Sequence, residues 1–369
     1  MNCELDRAGG DSGHRIRRRW AAPSIVGASE PDSDRPGSVP RPAGDLALSV
    51  VIATIGRAGP LKRTLDDLCT QQCQSWECIV VAQDDQGART AKRHRLNDVV
   101  ALRVVGLAAT SAAAARNRGV LCARGEVVLF LDDDVRIGDP DFLAAHLSNY
   151  GDPSVPGVVG QVLAPDAVPR DVRHPRSHHP RVGWLYFPRS YRYATTVLEG
   201  GSGNLSVRRD LVLAVGGMDE QFERGAHRED SDFTLRLSDR FGPLTFDPRA
   251  SVVHVGATEG GCRSWGLNRG VQPLHHVTGE WYFVLKALRA GRILLRDLPE
   301  HLFALGRRQV FNRANVRKPM NLLRASLRTS IGFWRAVAKL KEGPRYLAPL
   351  APERAPDCER PGFLQQRYS

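Results

Sequence analysis

The sequence predicts an α/β protein with a mixed, mostly parallel β-sheet flanked by helices and followed by a helical C-terminal extension. Three observations predict it. Apolar runs without polar alternation recur along the first third of the chain, segments of helical length separate them, and polar residues follow several of the runs. Strands that are buried on both faces have such continuous apolar sequences, and parallel strands need long crossover connections.

The elements of this sheet follow one another in a regular order. Helices are predicted at PLKRTLDDLCTQQ, where Leu61, Leu65 and Leu68 recur at helical spacing, then at QGARTAKRHRL and at the alanine-rich TSAAAARNRGVLCA. The apolar runs that predict strands are LALSVVIAT (46–54), ECIVVA (77–82), ALRVVGL (101–107) and EVVLFL (126–131).

The composition divides the chain into four predicted parts. The ends are rich in Gly, Pro, Ser and charged residues, which cannot bury enough apolar surface to offset the entropy of ordering. The parts are a disordered tail at 1–45, one α/β domain at 46–260, a helical extension at 261–345 and a flexible tail at 346–369.

Charge and hydropathy restrict the function classes. The net charge is +12, yet no nucleic-acid reader motif accompanies it, so we predict no nucleic-acid partner. No secretory signal and no apolar run of about 18 residues is found, so a cytoplasmic protein is expected. The C-terminal helices carry Arg and Lys beside apolar residues, which is typical of peripheral contact with the inner face of a membrane. A helical hairpin packed on the domain, or a dimer contact, fits them equally.

Three adjacent aspartates, Asp132, Asp133 and Asp134, end the fourth predicted strand in VVLFLDDDV. Like charges repel one another unless a cation or donor neutralises them. Mg²⁺ and Mn²⁺ prefer carboxylate oxygens and often share their coordination shell with phosphates. Ligands bind such sheets at the carboxyl ends of the strands, where Thr54 and Asp84 also fall. The strand end therefore predicts a site for a divalent cation and a diphosphate.

A phosphohydrolase of the haloacid-dehalogenase type is the alternative, because it also uses an apolar strand that ends in DxD. Asp132 and Asp134 would then be its carboxylate pair. That class usually has Thr or Val where this chain has Arg136, and its motif follows the first strand rather than the fourth. A non-catalytic nucleotide-sugar binder is a further alternative.

The ordered series SVVIATIGR, CIVVAQDD, AAAARNRGV, VVLFLDDDV, GGMDEQF and REDSDFTLRL resembles family 2 glycosyltransferases of the GT-A fold over residues 48–290. The resemblance implies a Rossmann-like sheet and inverting transfer of a sugar from a nucleotide-diphosphate donor to a hydroxyl acceptor, with Mg²⁺ or Mn²⁺ as cofactor. The acceptor would be a glycan, a lipid-linked molecule or a small molecule.

The same resemblance implies roles for particular residues. Asp230 would be the general base and Glu229 would position the acceptor; both begin a predicted helix, whose N-terminus favours ionised acids. The metal ligands would be Asp134, Asp132 and His254, and the glycine-rich stretch Gly201, Gly203 and Asn204 would approach the donor sugar or the acceptor. The nucleotide would contact Thr54, Asp84 or Asp85, Arg116, Asn117, Asp132 and Asp133.

Overall fold

The computed structural model describes residues 46–108, 111–171, 190–225, 227–265 and 271–347. The predicted N-terminal tail lies outside the described residues, and so does the predicted C-terminal tail beyond residue 347.

The first half of the domain alternates strands and helices as the apolar runs predict. Three parallel ladders join its four strands, so that β1 lies between β2 and β4, and β3 lies outside β2. The elements are β1 (Leu48–Thr54), α1 (Ala58–Leu68), β2 (Trp76–Ala82), α2 (Asp85–Lys92), β3 (Ala101–Gly106), α3 (Ala112–Cys122) and β4 (Val127–Asp132).

The second half continues the same sheet with antiparallel and parallel neighbours. Its elements are β5 (Val135–Arg136), α4 (Phe142–Ser148), β6 (Gly157–Leu163), β7 (Thr195–Val197), β8 (Asn204–Arg208), α5 (Arg209–Ala214), α6 (Glu229–Phe241) and β9 (Leu244–His254). The strand order is β3-β2-β1-β4-β8-β6-β9-β5, with β7 paired to β9. Strand β8 runs antiparallel to β4 and β6, while β6 and β9 are parallel. The predicted mixed, mostly parallel sheet is confirmed.

The sheet is covered on both faces because successive residues of a strand point to opposite sides. Leu48, Val50 and Ile52 of β1 join the cluster that includes the leucines of α1. Val51, between them, joins the cluster of α3 and α6 on the other face. Helix α3 comes very close to β1 there, since a Cβ at Gly119 would lie 2.2 Å from a Val51 methyl carbon. Only glycine permits this approach.

The predicted helical C-terminal extension is also confirmed, and it packs against α6 through a third cluster that includes Phe222, Phe283 and Leu305. Its helices are α7 (Leu274–Arg289), α8 (Leu298–Gln309), α9 (Arg313–Val316) and α10 (Pro319–Glu342). Among the described residues, no helix combines the length and the apolar character needed to cross a bilayer.

A buried ion network fixes α7 against α6. Lys286 Nζ lies 2.7 Å from Asp219 Oδ2 and 2.7 Å from Asp232 Oδ1. Tyr282 also donates its hydroxyl proton to Asp219, over 2.9 Å. Burial alone would lower the pKa of Lys286, but the two carboxylates raise it above its ordinary value. The network holds a charged lysine because two acids compensate it.

Asn204 connects three strands and a helix at the centre of the sheet. Its amide nitrogen donates to the carbonyls of Gln161 (3.0 Å) and Ala250 (2.9 Å), and its oxygen lies 2.8 Å from His146 Nε2. The side chain is fully buried. Removing it would leave three buried polar groups without partners, which is more costly than losing exposed hydrogen bonds.

We expect Asn204→Ala to lower the free energy of unfolding by about 3 kcal/mol, measured by urea denaturation. Asn97→Ala is the matched control because Asn97 is exposed, and its effect should stay within about 0.5 kcal/mol. Equal losses in the two variants would contradict the role assigned to Asn204.

Candidate active site

The three aspartates at the end of β4 have different surroundings. Asp133 is buried; its Oδ2 accepts a hydrogen bond from the Thr54 hydroxyl (2.6 Å), and its Oδ1 accepts one from Arg57 Nη1 (2.9 Å). Burial raises the pKa of Asp133 to about 6, and the Arg57 charge opposes that rise. The same guanidinium nitrogen lies 3.0 Å from Asp134 Oδ2. Arg57 therefore compensates two of the three negative charges.

Asp134 and His254 meet because β5 pairs antiparallel with β9, with Val135 opposite His254. His254 Nε2 lies 3.3 Å from Asp134 Oδ1 and 4.0 Å from Asp132 Oδ2. Burial alone would raise the pKa of Asp134, but His254 and Arg57 hold it below its ordinary value. The hydrogen bond to Asp134 raises the pKa of His254 in turn.

Asp132, Asp134 and His254 can together present one ligand atom each within 4.8 Å of one another. Asp134 Oδ1 is buried, and the His254 imidazole lies 3.3 Å from it, so a cation placed between them could be bound by both groups. Two carboxylates and an imidazole form a donor set that suits Mn²⁺ or Mg²⁺. The residues predicted as metal ligands therefore lie together and fit a divalent cation.

Gly203 makes room for the Asp132 carboxylate. A Cβ at position 203 would lie 2.4 Å from Asp132 Oδ2, and the Asp132 backbone N–H donates to the Gly203 carbonyl over 3.1 Å. A side chain there would push the carboxylate away from its neighbours. The glycine-rich stretch predicted from the sequence therefore acts, at this position, on a candidate metal ligand.

Arg116 connects the metal-type cluster, which consists of Asp132, Asp134 and His254, to the acid pair at the start of α6. The buried guanidinium donates to Asp132 Oδ1 over 3.0 Å and to Glu229 Oε1 over 3.4 Å. Burial disfavours its charge, but Asp132 and Glu229 raise the pKa of Arg116 above its ordinary value. One cation thus fixes the relative positions of two acids that are 97 residues apart in the sequence.

Glu229 and Asp230 form the first turn of α6. Burial, followed by repulsion from Asp230, raises the pKa of Glu229 to about 8. Asp230 Oδ1 accepts the backbone N–H of Ser231 (2.8 Å), and its Oδ2 would lie 3.7 Å from a Cβ at Gly201. The preceding residue, Arg228, has a left-handed φ of 79°, which is a strained conformation for arginine. The turn into α6 is therefore held in an unusual shape at the acid pair.

Two predicted contact residues instead have structural partners. Asn117 Nδ2 donates to the Met218 carbonyl (2.8 Å) and to Glu220 Oε1 (2.9 Å), and its Oδ1 accepts the Met218 N–H (2.8 Å). The Asn117 amide thus holds the GGMDE turn, and the Asn204 amide is bonded inside the sheet. Contact of Asn117 with a nucleotide, and of Asn204 with the donor sugar or acceptor, stays a prediction.

Thr54 and Asp133 are buried and bonded to each other. Their contact with a nucleotide stays a prediction. At the next strand end, Asp84 accepts the backbone N–H groups of Gly87 (2.8 Å) and Gly56 (2.7 Å), which caps α2 and fixes the loop after β1. Asp85, its neighbour, is exposed.

Sequence reasoning missed Arg57 and Glu199. Arg57 stands in TIGRAG after β1, and its only signal was a positive charge facing the strand end that carries three aspartates. Its Nε also donates to the Glu259 carbonyl (3.1 Å), so it anchors the segment after β9.

Glu199 precedes the glycine-rich stretch, and both of its carboxylate oxygens are buried without hydrogen-bond partners. Burial raises the pKa of Glu199 to about 8.

Two solved structures resemble this chain in shape at low identity. A mannosyltransferase, PcManGT from Pyrobaculum calidifontis, in complex with GDP-Man and Mn²⁺, is 19% identical with a TM-score of 0.49, over 84% of this chain and 83% of that one. S. aureus TarS 1-349, in complex with UDP-GlcNAc, is 16% identical with a TM-score of 0.46, over 81% of this chain and 92% of that one. No curated protein matches the sequence.

The family match is more specific. Residues 49–214 match the family described as Glycosyl transferase family 2, a segment that includes β1 to β4, the three aspartates, Arg116 and the glycine-rich stretch. The chain therefore contains a glycosyl transferase family 2 domain over these residues.

Proposed function

We propose that this glycosyltransferase moves a sugar from a nucleoside-diphosphate donor to a hydroxyl acceptor with inversion at the anomeric carbon. The observation that carries the proposal is the Arg116 bridge, which joins a divalent-cation site to a pair of acids. Transfer needs both parts, one at the leaving diphosphate and the other at the acceptor. A phosphohydrolase would not need the second part, and the family match also favours the transferase.

Asp132, Asp134 and His254 are the residues that would hold the metal. A bound Mg²⁺ or Mn²⁺ supplies charge stabilisation for the diphosphate that leaves with the nucleotide. Arg57 supports this site without entering it, because it fixes Asp133 and Asp134 from the side of β1. Asp133 and Thr54 are positioning residues in this proposal.

Asp230 would act as the general base, as inversion requires a group that takes the acceptor proton opposite the leaving nucleotide. Burial and the neighbouring Asp230 raise the pKa of Glu229, and Arg116 lies beside it, so the two acids differ in their surroundings. Glu229 positions the acceptor in this proposal. Asp230 then accepts the hydroxyl proton as the anomeric bond breaks.

Two substitutions separate these roles. We expect Asp134→Asn to weaken Mn²⁺-dependent binding of UDP or GDP by at least about tenfold, because it removes a charged ligand. Asp230→Asn should leave that affinity within about twofold and lower turnover by roughly 10²- to 10⁴-fold. Calorimetry measures the binding, and release of nucleoside diphosphate from UDP- and GDP-sugars measures turnover.

Asp98→Asn is the matched control for both variants, since Asp98 is exposed and precedes β3, at the strand end opposite to the one that carries the site. It should change neither quantity. Equal losses of binding in Asp134→Asn and Asp230→Asn would contradict the division of roles. NMR of the first-formed sugar anomer tests inversion, and retention of the donor's anomeric configuration would contradict it.

We further propose that α10 contacts an anionic membrane surface. Its buried face includes Ala325, Gly332 and Ala336, while an apolar stripe lies exposed on the opposite side of the helix. Arg324, Arg328 and Arg335 flank that stripe, which complements a negatively charged surface. The stripe consists of Met320 (57% exposed), Leu323 (64%), Leu327 (59%), Ile331 (39%) and Trp334 (69%).

Vesicle sedimentation tests this contact. We expect the protein to bind vesicles that contain phosphatidylserine and not neutral vesicles, and Leu327→Asp to abolish binding by placing a charge in the stripe. Ser326→Asp adds the same charge beside the stripe on an exposed position and should retain most of the binding. If the wild-type protein does not bind anionic vesicles and the Leu327→Asp substitution dissociates a dimer, the stripe is a contact between two copies of the chain.

A further inference from the structure

A cavity of about 670 Å³ lies between the turn at 221–224, helix α7 and helix α10, on the side of the molecule formed by the C-terminal extension. Its lining is strongly basic. Five cationic side chains contribute to it, namely Arg224, Arg328, Arg335, Lys339 and Arg345, against two acidic ones, Glu223 and Glu342. None of these residues has a role in the proposed transfer chemistry.

The two acids are already engaged. Lys339 Nζ lies 2.7 Å from Glu223 Oε1, and Arg345 Nη2 lies 3.1 Å from Glu342 Oε2. Among the described lining residues, three guanidinium groups therefore remain in excess. Arg328 uses Nη1 to bond the carbonyls of Val271 and Gln272, which are uncharged. The cavity thus has a net positive charge that its own acids do not neutralise.

Buried polar groups in the lining also lack partners. Thr278 is 5% exposed, and its hydroxyl has no hydrogen-bond partner. His275 lies one turn earlier on α7, and its buried Nε2 also has no hydrogen-bond partner. Burial, followed by the positive charge of Arg224 and His227, lowers the pKa of His275 to about 4. Unpaired buried polar groups are costly, and both residues belong to the wall of the cavity.

The start of α7 adds a further attraction for an anion. This 16-residue helix begins at Leu274, which lines the cavity, and its first N–H groups have no partners within the helix. Guanidinium groups match phosphate oxygens in geometry, and three of them suit a group with more than one negative charge. A single phosphate would fill only part of the cavity, so there is space for the molecule that carries it.

We propose that this cavity binds a phosphate group carried by the acceptor. The inference rests on the proposed transferase function and extends it, because it names the chemical class of the acceptor. The phosphate could belong to a lipid-linked acceptor or to a water-soluble one. Arg328 and Arg335 are on α10, which also carries the exposed apolar stripe, so either source can reach the cavity.

The cavity is connected to the acid pair through α7. His227 stacks on His276 of α7 with ring centroids 3.8 Å apart, and Arg228 Nε lies 3.5 Å from Glu280 Oε2. His227 and Arg228, which follow the cavity wall at Arg224 and precede Glu229 and Asp230 in the chain, thus both contact this helix. In this proposal, the acceptor reaches from the cavity to the acid pair.

Calorimetry of the full-length protein in EDTA tests the proposal without a metal that could bind phosphate at Asp134. Glycerol 3-phosphate and dihexanoyl phosphatidic acid are the water-soluble and lipid probes. We expect saturable binding, which Arg335→Gln weakens by about tenfold or more and Arg289→Gln leaves within about twofold. Arg289 is the matched control, an exposed arginine at the end of α7 outside the cavity lining. Arg224→Gln provides a second variant on a different element.

The outcomes separate the sources and the hypotheses. Tighter binding of the lipid probe assigns a lipid-linked acceptor, and equal binding assigns a water-soluble one. Absence of binding for both probes, or equal weakening by Arg335→Gln and Arg289→Gln, overturns the proposal. Mn²⁺-dependent UDP or GDP binding, measured on the same proteins, should be unchanged in Arg335→Gln. If wild type lacks that nucleotide binding, it is the transferase proposal that fails.

Discussion

Three adjacent carboxylates at the end of a buried strand impose the constraint on which this structure depends. Their mutual repulsion must be compensated locally, because the surroundings of Asp133 and Asp134 exclude most water. Arg57 from the β1 loop, Arg116 from α3 and His254 from β9 provide that compensation. Each comes from a different element. The charges of one strand end therefore determine how three other parts of the chain must be placed around it.

The same compensation divides the triplet. Asp133 is turned inward and satisfied by Thr54 and Arg57, while Asp132 and Asp134 meet His254. Arg116 then extends the arrangement to Glu229, so that the acids at the start of α6 are positioned relative to β4. The Lys286 network holds α6 from its other side. The acid pair is thus fixed both from the sheet and from the C-terminal helices.

The sequence was sufficient for the first four strands and for the metal-type cluster. Apolar runs identify strands buried on both faces, and acids that follow such strands must converge at one edge of a parallel sheet. The sequence did not predict the structural hydrogen bonds of the Asn117 and Asn204 side chains, which lie in motifs that suggest ligand binding. Their partners, such as Met218 and Ala250, are backbone groups distant along the chain, and local spacing carries no information about them. Arg57 was missed for the same reason.

Anomalous diffraction at the manganese edge, from crystals grown with Mn²⁺ and UDP or GDP, would locate the metal. We predict a single strong peak about 2.1 Å from oxygen atoms of Asp134 and close to His254, with the diphosphate on its open side. Manganese bound elsewhere on the protein, with Asp134 and His254 still joined only to each other, would show that the strand end of β4 is not the metal site.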